Sequence, residues 1–318
     1  MEKKDMIWAV LAHLGIHMWS EEGVLRGHDD VLAMASPVFR FDRKLWNEYT
    51  LDMSRKGANM IIVDVGEALR FESHPELAVD GSFTREEMEA EIRRLQLLGL
   101  EVVPKLNFSA GHDAWLKEYA KMLSSPTYYR VCADLIHEVC DIFKPRFFHL
   151  GMDEEKYRFQ KCMQVSIVRK DDLWWKDFYF LVDCVEKENV RPWIWSDYMW
   201  DYPDLFLSKM PKSVVQSNWY YGALFENYHE RYNKVMESFD LLDRHGYDQV
   251  PTGSNWSHDG NMQGLTKYCT ERLNPDKLIG FMQAPWFFVY RGHRKKLFGG
   301  NDELLEARTW FEEREGKR

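Results

Sequence analysis

The sequence predicts an α/β protein, a single (β/α)8 TIM barrel, and three observations lead to this. Short apolar segments alternate strictly with amphipathic segments, eight of each, which is the pattern of a closed parallel barrel. The 318 residues suffice for one such barrel with loop insertions. No Ser/Gly-rich linker or low-complexity segment interrupts the series. We therefore expect one domain over residues 1–318.

The eight predicted strands are almost wholly apolar, as expected for strands that are buried on both faces. In chain order they are Ile7–Leu14, Asn59–Val65, Leu100–Asn107, Arg146–Leu150, Arg191–Ser196, Ser213–Ser217, Gln249–Gly253 and Leu278–Gln283. Amphipathic patterns predict helices near residues 43–57, 84–99, 125–144, 172–188, 203–210, 223–245, 261–273 and 301–315. Thr84 and Glu87 form a capping-box pattern before the second helix, and Gly99 suits the position after its end. A doubly wound sheet is the alternative fold, but the first strand is not followed by the GxGxxG that is typical of it.

Composition and charge exclude several classes of partner. The net charge of −9 and the lack of a basic stripe argue against nucleic acid, and no apolar run approaches the roughly 18 residues of a membrane span. Five cysteines without a CxxC pair predict neither a disulfide framework nor a zinc cluster. No cofactor is expected, and the sequence indicates no oligomeric state. The N-terminus lacks a signal-peptide pattern, so we expect a cytoplasmic protein, or an exported one whose leader has been trimmed.

Polar and aromatic side chains follow most of the predicted strands, where a barrel places its active site. The 13 tryptophans are well above ordinary usage, and indole rings stack on the C–H faces of sugars. These strand-end positions therefore predict a carbohydrate site, and they are Asp64, Asn107, His112, His149, Asp153, Glu154, Glu155, Trp195, Asp197, Trp219, Tyr220, Tyr221, Trp256, His258 and Trp286.

The adjacent acids after the fourth strand are the most specific signal. Two close carboxylates repel, which raises the pKa of one and suits a general acid beside a partner that stays ionised. The alternatives are a solvated acidic cluster or a salt bridge to Lys156 or Arg158. A metal site of His149, Asp153 and Glu154 has suitable ligand types but lacks a third nitrogen or sulfur ligand, so no metal is predicted.

The segment His149-Leu-Gly-Met-Asp-Glu154 resembles the His-x-Gly-Gly-Asp-Glu motif of family 20 glycoside hydrolases, the β-N-acetylhexosaminidases. The hexosaminidase D-like branch is the most similar, and this chain would be a divergent member. Further segments resemble the family in the same order, and they are residues 56–64, 81–87, 98–104, Gly111-His112 and 191–197.

This resemblance implies an exo-acting, retaining enzyme that removes a terminal β-linked N-acetylhexosamine by substrate-assisted catalysis. Asp153 would orient the acetamido group, and Glu154 would be the general acid and base. Trp195, Trp219 and Trp286 would enclose the sugar, and Tyr220 or Tyr221 would bind the acetamido carbonyl. Further substrate-binding residues would be Asp64, His112, His149, Asp197 and Trp256.

The chain also departs from the family pattern. Met152 replaces the second glycine of the motif, Lys105 and Asn107 replace two acids after the third strand, and the first strand does not end in an arginine. Two alternatives therefore stay open: a non-catalytic carbohydrate-binding barrel, and a glycosidase relative whose sugar lacks the 2-acetamido group. Strict strand alternation also leaves Glu155 as an alternative general acid, because it would place Asp153 and Glu155 on one face.

Overall fold

The computed structural model describes residues 6–24 and 34–315. Eight parallel strands form one sheet in the order β6-β5-β4-β3-β2-β1-β8-β7, and bridges between Gln216 and Gln249 and between Trp219 and Thr252 join its two ends. The predicted (β/α)8 barrel is thus confirmed. The strands are β1 Ile7–His13, β2 Met60–Asp64, β3 Glu101–Lys105, β4 Phe147–His149, β5 Arg191–Trp195, β6 Val215–Ser217, β7 Thr252–Gly253 and β8 Gly280–Gln283.

Helices between the strands cover the outside of the sheet. Within the described residues they are α1 Arg43–Arg55, α2 Arg85–Leu97, α3 Pro126–Phe143, α4 Asp172–Lys187, α5 Tyr198–Asp201, α6 Pro203–Lys209, α7 Asn233–Arg244, α8 Asn261–Arg272 and α9 Arg294–Glu315. None of the helices in this part of the chain is long and apolar enough to cross a membrane.

Local sequence signals place some helix ends correctly and others wrongly. The capping box at α2 is confirmed, since Thr84 Oγ1 accepts from the Glu87 N–H and the Glu87 carboxylate accepts from the Thr84 N–H. The helix predicted at 223–245 was too long, because α7 begins only at Asn233. The helix predicted at 301–315 was too short, because α9 continues through Gly299 and Gly300. A Cβ on Gly300 would lie 3.3 Å from Asn255 Oδ1, so the glycine allows α9 to approach the barrel closely.

The top layer of the barrel interior is polar, although the layers below it are apolar. The parallel register places His13 beside Asp64, Asp64 beside Lys105 and Lys105 beside His149, along four neighbouring strands. All four side chains are buried. Each occupies the last position of its strand, so this row of side chains forms a floor beneath the loops at the C-terminal mouth of the barrel.

Replacing Gly280 with alanine tests the contact between β8 and β1. The new Cβ would lie 2.6 Å from the Ile7 carbonyl oxygen and 2.9 Å from Ile7 Cα, so the strands would have to move apart. We expect Gly280→Ala to lower the free energy of unfolding by about 1–3 kcal/mol, as overpacked cores do. In the control, Gly299→Ala, the Cβ meets only Asn255 Nδ2 at 3.6 Å, and alanine favours a helix. Urea unfolding compares the variants, and equal stabilities would contradict the tight contact.

Candidate active site

The imidazole of His112 lies between the side chains of Asp153 and Glu154. Its Nδ1 is 3.3 Å from Asp153 Oδ1, and its Nε2 is 3.4 Å from Glu154 Oε2. Burial lowers the pKa of His112, but the charges of Asp153 and then Glu154 outweigh burial and raise it to about 10. His112 is therefore an imidazolium at neutral pH, with Nδ1 close to both Asp153 Oδ1 and Ser109 Oγ and Nε2 close to Glu154.

Asp153 is ionised despite its burial. Burial raises the pKa of this carboxyl group, yet the charge and hydrogen bond of His112, followed by the charge of Lys105 and a hydrogen bond from Asn107, hold it far below its usual range. The Asn107 Nδ2 donates to Asp153 Oδ1 at 2.9 Å. Asp153 thus presents a carboxylate to the mouth of the barrel.

Asn107 holds the loops after β3 and β4 together, a role that sequence reasoning missed. Its Oδ1 accepts hydrogen bonds from the N–H groups of Ser109 at 3.1 Å and Met152 at 3.3 Å. Gly151 passes so close to it that a Cβ would lie 2.9 Å from Asn107 Cα, and Gly151 has φ +72°. This glycine is thus required both by the left-handed backbone and by the close approach.

The backbone after β4 leaves strand geometry and separates Glu154 from Glu155. Met152 and Glu154 have left-handed φ values of 71° and 55°, so strand alternation no longer applies. The Glu155 carboxylate turns away to pair with Arg169 and to accept from the Ala110 N–H at 3.1 Å. The acid that faces His112 is therefore Glu154.

The acidic cluster does not form either of the nearby salt bridges that the sequence allowed. Lys156 pairs instead with Asp201, and the Arg158 guanidinium lies over the Phe159 ring, 4.6 Å from its centroid. The cation that compensates the pair comes from His112, which is more than 40 residues away in the chain.

Asp197, at the end of β5, supports the backbone of the acidic segment. Its Oδ2 accepts from the Glu154 N–H at 2.9 Å. Burial, and then the charge of Asp153, raise the pKa of Asp197 to about 8, so this carboxyl group is protonated at neutral pH. No other described residue forms a hydrogen bond with its Oδ1.

Aromatic side chains line the mouth beside these acids. The rings of Trp195 and Trp286 are 5.7 Å apart, and Trp286 Nε1 donates to Tyr221 Oη at 2.9 Å. Tyr221 stacks on Trp219 at 5.0 Å. Trp19, which the site prediction did not include, lies with its ring 6.4 Å from that of His112.

Two predicted substrate-binding residues lie apart from this cluster. The Tyr220 hydroxyl donates to the Leu224 carbonyl oxygen, and its ring packs against Phe225 and Tyr232. Trp256 is 58% exposed and contacts no other aromatic ring among the described residues. Between the two tyrosines that the sequence left open, Tyr221 is the one at the mouth.

The floor of the mouth contains a buried ion pair and a neutral histidine. Asp64 pairs with Lys105, and its Oδ2 lies 2.6 Å from His13 Nδ1. Burial, and then the charge of Lys105, hold the pKa of His149 well below its usual value. Because His149 Nδ1 accepts from the Gly151 N–H at 3.1 Å, the proton of this neutral ring must be on Nε2.

One group of potential metal ligands lies within the described residues: atoms of His112, Asp153 and Glu154 all within 4.8 Å of one another. A metal ion here would have to displace the proton of the His112 imidazolium. The arrangement suits proton transfer and hydrogen bonding. An ionised acid and a second carboxyl group flank a cation.

Fold and site together define a (β/α)8-barrel protein with paired acids in an aromatic mouth. The profile of the "Glycosyl hydrolase family 20, catalytic domain" matches residues 107–286, which is more than half of the chain. The chain therefore belongs to glycosyl hydrolase family 20. No curated protein sequence matches it.

Solved structures share the fold at low sequence identity. Streptomyces plicatus N-acetyl-β-hexosaminidase aligns with TM-score 0.61 and 13% identity, over 95% of this chain and 64% of that chain. The β-N-acetylhexosaminidase of Bacteroides fragilis aligns with TM-score 0.58 and 15% identity, over 97% of this chain and 71% of that one. This chain thus spans less than two thirds of the Streptomyces protein.

Replacing Asp197 with asparagine tests its protonation. The folded protein retains a proton that the unfolded chain releases above its ordinary pKa, so the stability of the natural protein falls as pH rises toward about 8. Asparagine removes this titration and keeps the acceptor for the Glu154 N–H. As the pH rises from about 5 to about 9, we expect the free energy of unfolding of the variant to increase by at least about 1 kcal/mol relative to that of the natural protein.

The matched control is Asp201→Asn, because burial raises the pKa of Asp201 but its contacts with Lys156 and Lys234 outweigh burial and lower it. Its stability relative to the natural protein should stay level over the same pH range. Denaturant unfolding at each pH measures both variants. If the stability difference between Asp197→Asn and the natural protein does not change with pH, Asp197 is ionised in the folded protein.

Proposed function

We propose that this protein is a retaining, exo-acting glycoside hydrolase that removes a terminal β-linked N-acetylhexosamine with the help of the substrate's own acetamido group. One observation carries the proposal: the His112 imidazolium holds two consecutive acids, Asp153 and Glu154, side by side at an aromatic mouth. Family membership adds support. We further propose that residues 1–318 form the catalytic domain, that no cofactor is needed, and that the hexosaminidase D-like branch is its place in the family.

In the first step, the ionised Asp153 accepts a hydrogen bond from the acetamido N–H and so orients this group. The acetamido carbonyl oxygen attacks the anomeric carbon while the bond to the leaving oxygen breaks. In the reactive form Glu154 is protonated, and it gives this proton to that oxygen. A carboxylate then forms on Glu154, and the imidazolium of His112, 3.4 Å away, stabilises the new charge.

In the second step, water opens the oxazolinium intermediate. Glu154 takes a proton from the water, whose oxygen bonds to the anomeric carbon as the bond to the acetamido oxygen breaks. Each step inverts the anomeric carbon, so the product retains the β configuration. The negative charge of Asp153 stabilises the positive intermediate throughout.

The aromatic residues supply the walls of the proposed sugar site. Trp195, Trp219 and Trp286 would enclose the sugar and its acetamido group. The oxygen of Tyr221 accepts from Trp286 Nε1, so its own proton can be donated to the acetamido carbonyl. The contacts of Tyr220 point elsewhere, which favours Tyr221 for this role.

The remaining predicted substrate-binding residues act from the floor and the edge of the mouth. His149 Nε2–H is a buried donor without a hydrogen-bond partner among the described residues. Asp197 would hold the Glu154 backbone, and Asp64 would hold His13 and Lys105. Trp256 is an exposed aromatic side chain that would contact only the leaving part of the glycan.

Relatives with this fold bind the expected kind of ligand. The Streptomyces plicatus enzyme was solved with Thio-NAglucal, and an exo-β-N-acetylglucosaminidase of Vibrio harveyi was solved with N-acetylglucosamine. The carboxylate of Asp153 can accept a hydrogen bond from the acetamido N–H, which is consistent with an acetamido substrate.

Hydrolysis of aryl glycosides tests the proposal. We expect release of the aryl group from the β-N-acetylglucosaminide or the β-N-acetylgalactosaminide, and inhibition by a thiazoline that mimics the oxazolinium intermediate. The matched aryl β-glucoside, which lacks the acetamido group, should be a poor substrate. Equal cleavage of the glucoside would favour the alternative function, a glycosidase whose sugar lacks the 2-acetamido group. Thiazoline binding without hydrolysis would favour the sugar-binding barrel.

The Glu154→Gln variant tests the assignment of the general acid. Glutamine keeps the size of the side chain and cannot transfer the proton, so we expect kcat to fall by at least about 10²-fold for a substrate with a poor leaving group. Glu118→Gln, an exposed change in the loop after β3, is the control and should retain full activity. An unchanged rate for Glu154→Gln would rule out Glu154 as the acid.

A further inference from the structure

A buried ion cluster lies directly behind the candidate site. The Arg169 guanidinium is fully buried and pairs with Glu155 and with Asp177, whose Oδ2 is 3.3 Å from its Nη1. Arg169 Nη2 also donates to the Phe108 carbonyl oxygen at 3.1 Å. The Glu155 carboxylate accepts from the Ala110 N–H at 3.1 Å. These contacts link the loop after β3, the loop after β4 and helix α4.

The two linked loops carry the acids and the cation of the site. His112 belongs to the loop after β3, whereas Asp153 and Glu154 belong to the loop after β4. The contacts of Arg169 and Glu155 therefore join the loop that carries the imidazolium to the loop that carries its two acidic partners. At 3.3 and 3.4 Å, both contacts of the imidazolium would be lost if one loop moved by about 1 Å.

Stability alone does not explain this cluster. Removing a guanidinium and two carboxylates from water is costly, and apolar side chains of similar volume often give equal or greater stability. Asp177 is already satisfied by Ser124 Oγ at 2.6 Å and Tyr129 Oη at 2.5 Å. What apolar side chains could not supply is a directional link between the Phe108 carbonyl group and the acidic segment.

We propose that Arg169 and Glu155 are a positioning pair that holds His112 against Asp153 and Glu154. The pair acts through the two loops, and this inference rests on the proposed function for its effect on catalysis. The protonation of the neighbouring Asp113 is consistent with this positioning role of Arg169 and Glu155. Burial, and then the charge of Glu155, raise the pKa of Asp113 to about 8, so this nearby acid stays neutral and does not compete for Arg169.

The double variant Glu155→Gln/Arg169→Met tests the proposal. Removing Arg169 alone would leave buried carboxylates without compensation, whereas the double change removes one charge of each sign. We expect kcat to fall at least about 10-fold while KM changes less than about 3-fold, because the acids are misplaced while the sugar walls stay intact. By NMR titration, the pKa of His112 should fall from about 10 toward its ordinary value.

The matched control is Glu91→Gln/Arg94→Met, which removes another ion pair with a buried carboxylate, located in α2. It should leave both kcat and the His112 titration unchanged. If the first double variant does not fold, the single variant Glu155→Gln keeps a hydrogen-bond acceptor, and a lower His112 pKa and lower kcat are expected there too.

The outcomes separate this inference from the proposed function. If the natural protein hydrolyses none of the glycosides, the function fails, but the His112 titration still tests the positioning pair. A folded variant with natural kcat and an unchanged His112 pKa would overturn the inference. A higher KM alone, with kcat and the pKa of His112 unchanged, would also overturn the inference.

Discussion

The site depends on one interaction, the imidazolium of His112 between two consecutive carboxyl groups. Adjacent acidic side chains in a partly buried mouth repel each other, and a cation beside them offsets this repulsion. His112 supplies that cation, with one ring nitrogen close to each carboxyl group. His112 can occupy this position only if the loops after β3 and β4 stay close together. Hydrogen bonds of Asn107 and the close approach of Gly151 hold the two loops together.

The buried charge of Lys105 in the floor of the mouth also favours an ionised Asp153. Lys105, at the end of β3, is fully buried. Its charge favours the ionised form of Asp153 and the neutral form of His149. Asp64 compensates Lys105 within the floor. The charges of Lys105 and His112 together thus favour an ionised Asp153.

Much of the fold and part of the site follow from local sequence patterns. Alternation of apolar and amphipathic segments predicted all eight strands, and strand ends predicted that Asp64 and His149 lie at the mouth of the barrel. Local sequence patterns do not predict side-chain positions that depend on contacts with residues distant in the chain. Left-handed residues at Met152 and Glu154 break the alternation that would have paired Asp153 with Glu155. The partner of Glu155 is Arg169, not a neighbour in the chain, and no sequence spacing reveals it.

The dependence of the rate on acetamido basicity tests the central claim most directly. Aryl β-glycosides that carry N-acetyl, N-fluoroacetyl, N-difluoroacetyl and N-trifluoroacetyl groups differ mainly in the nucleophilicity of the carbonyl oxygen. If that oxygen attacks the anomeric carbon, kcat/KM must fall steeply and in order along the series. A rate that is independent of fluorination would contradict the account, because the nucleophile would then be the enzyme or water rather than the substrate.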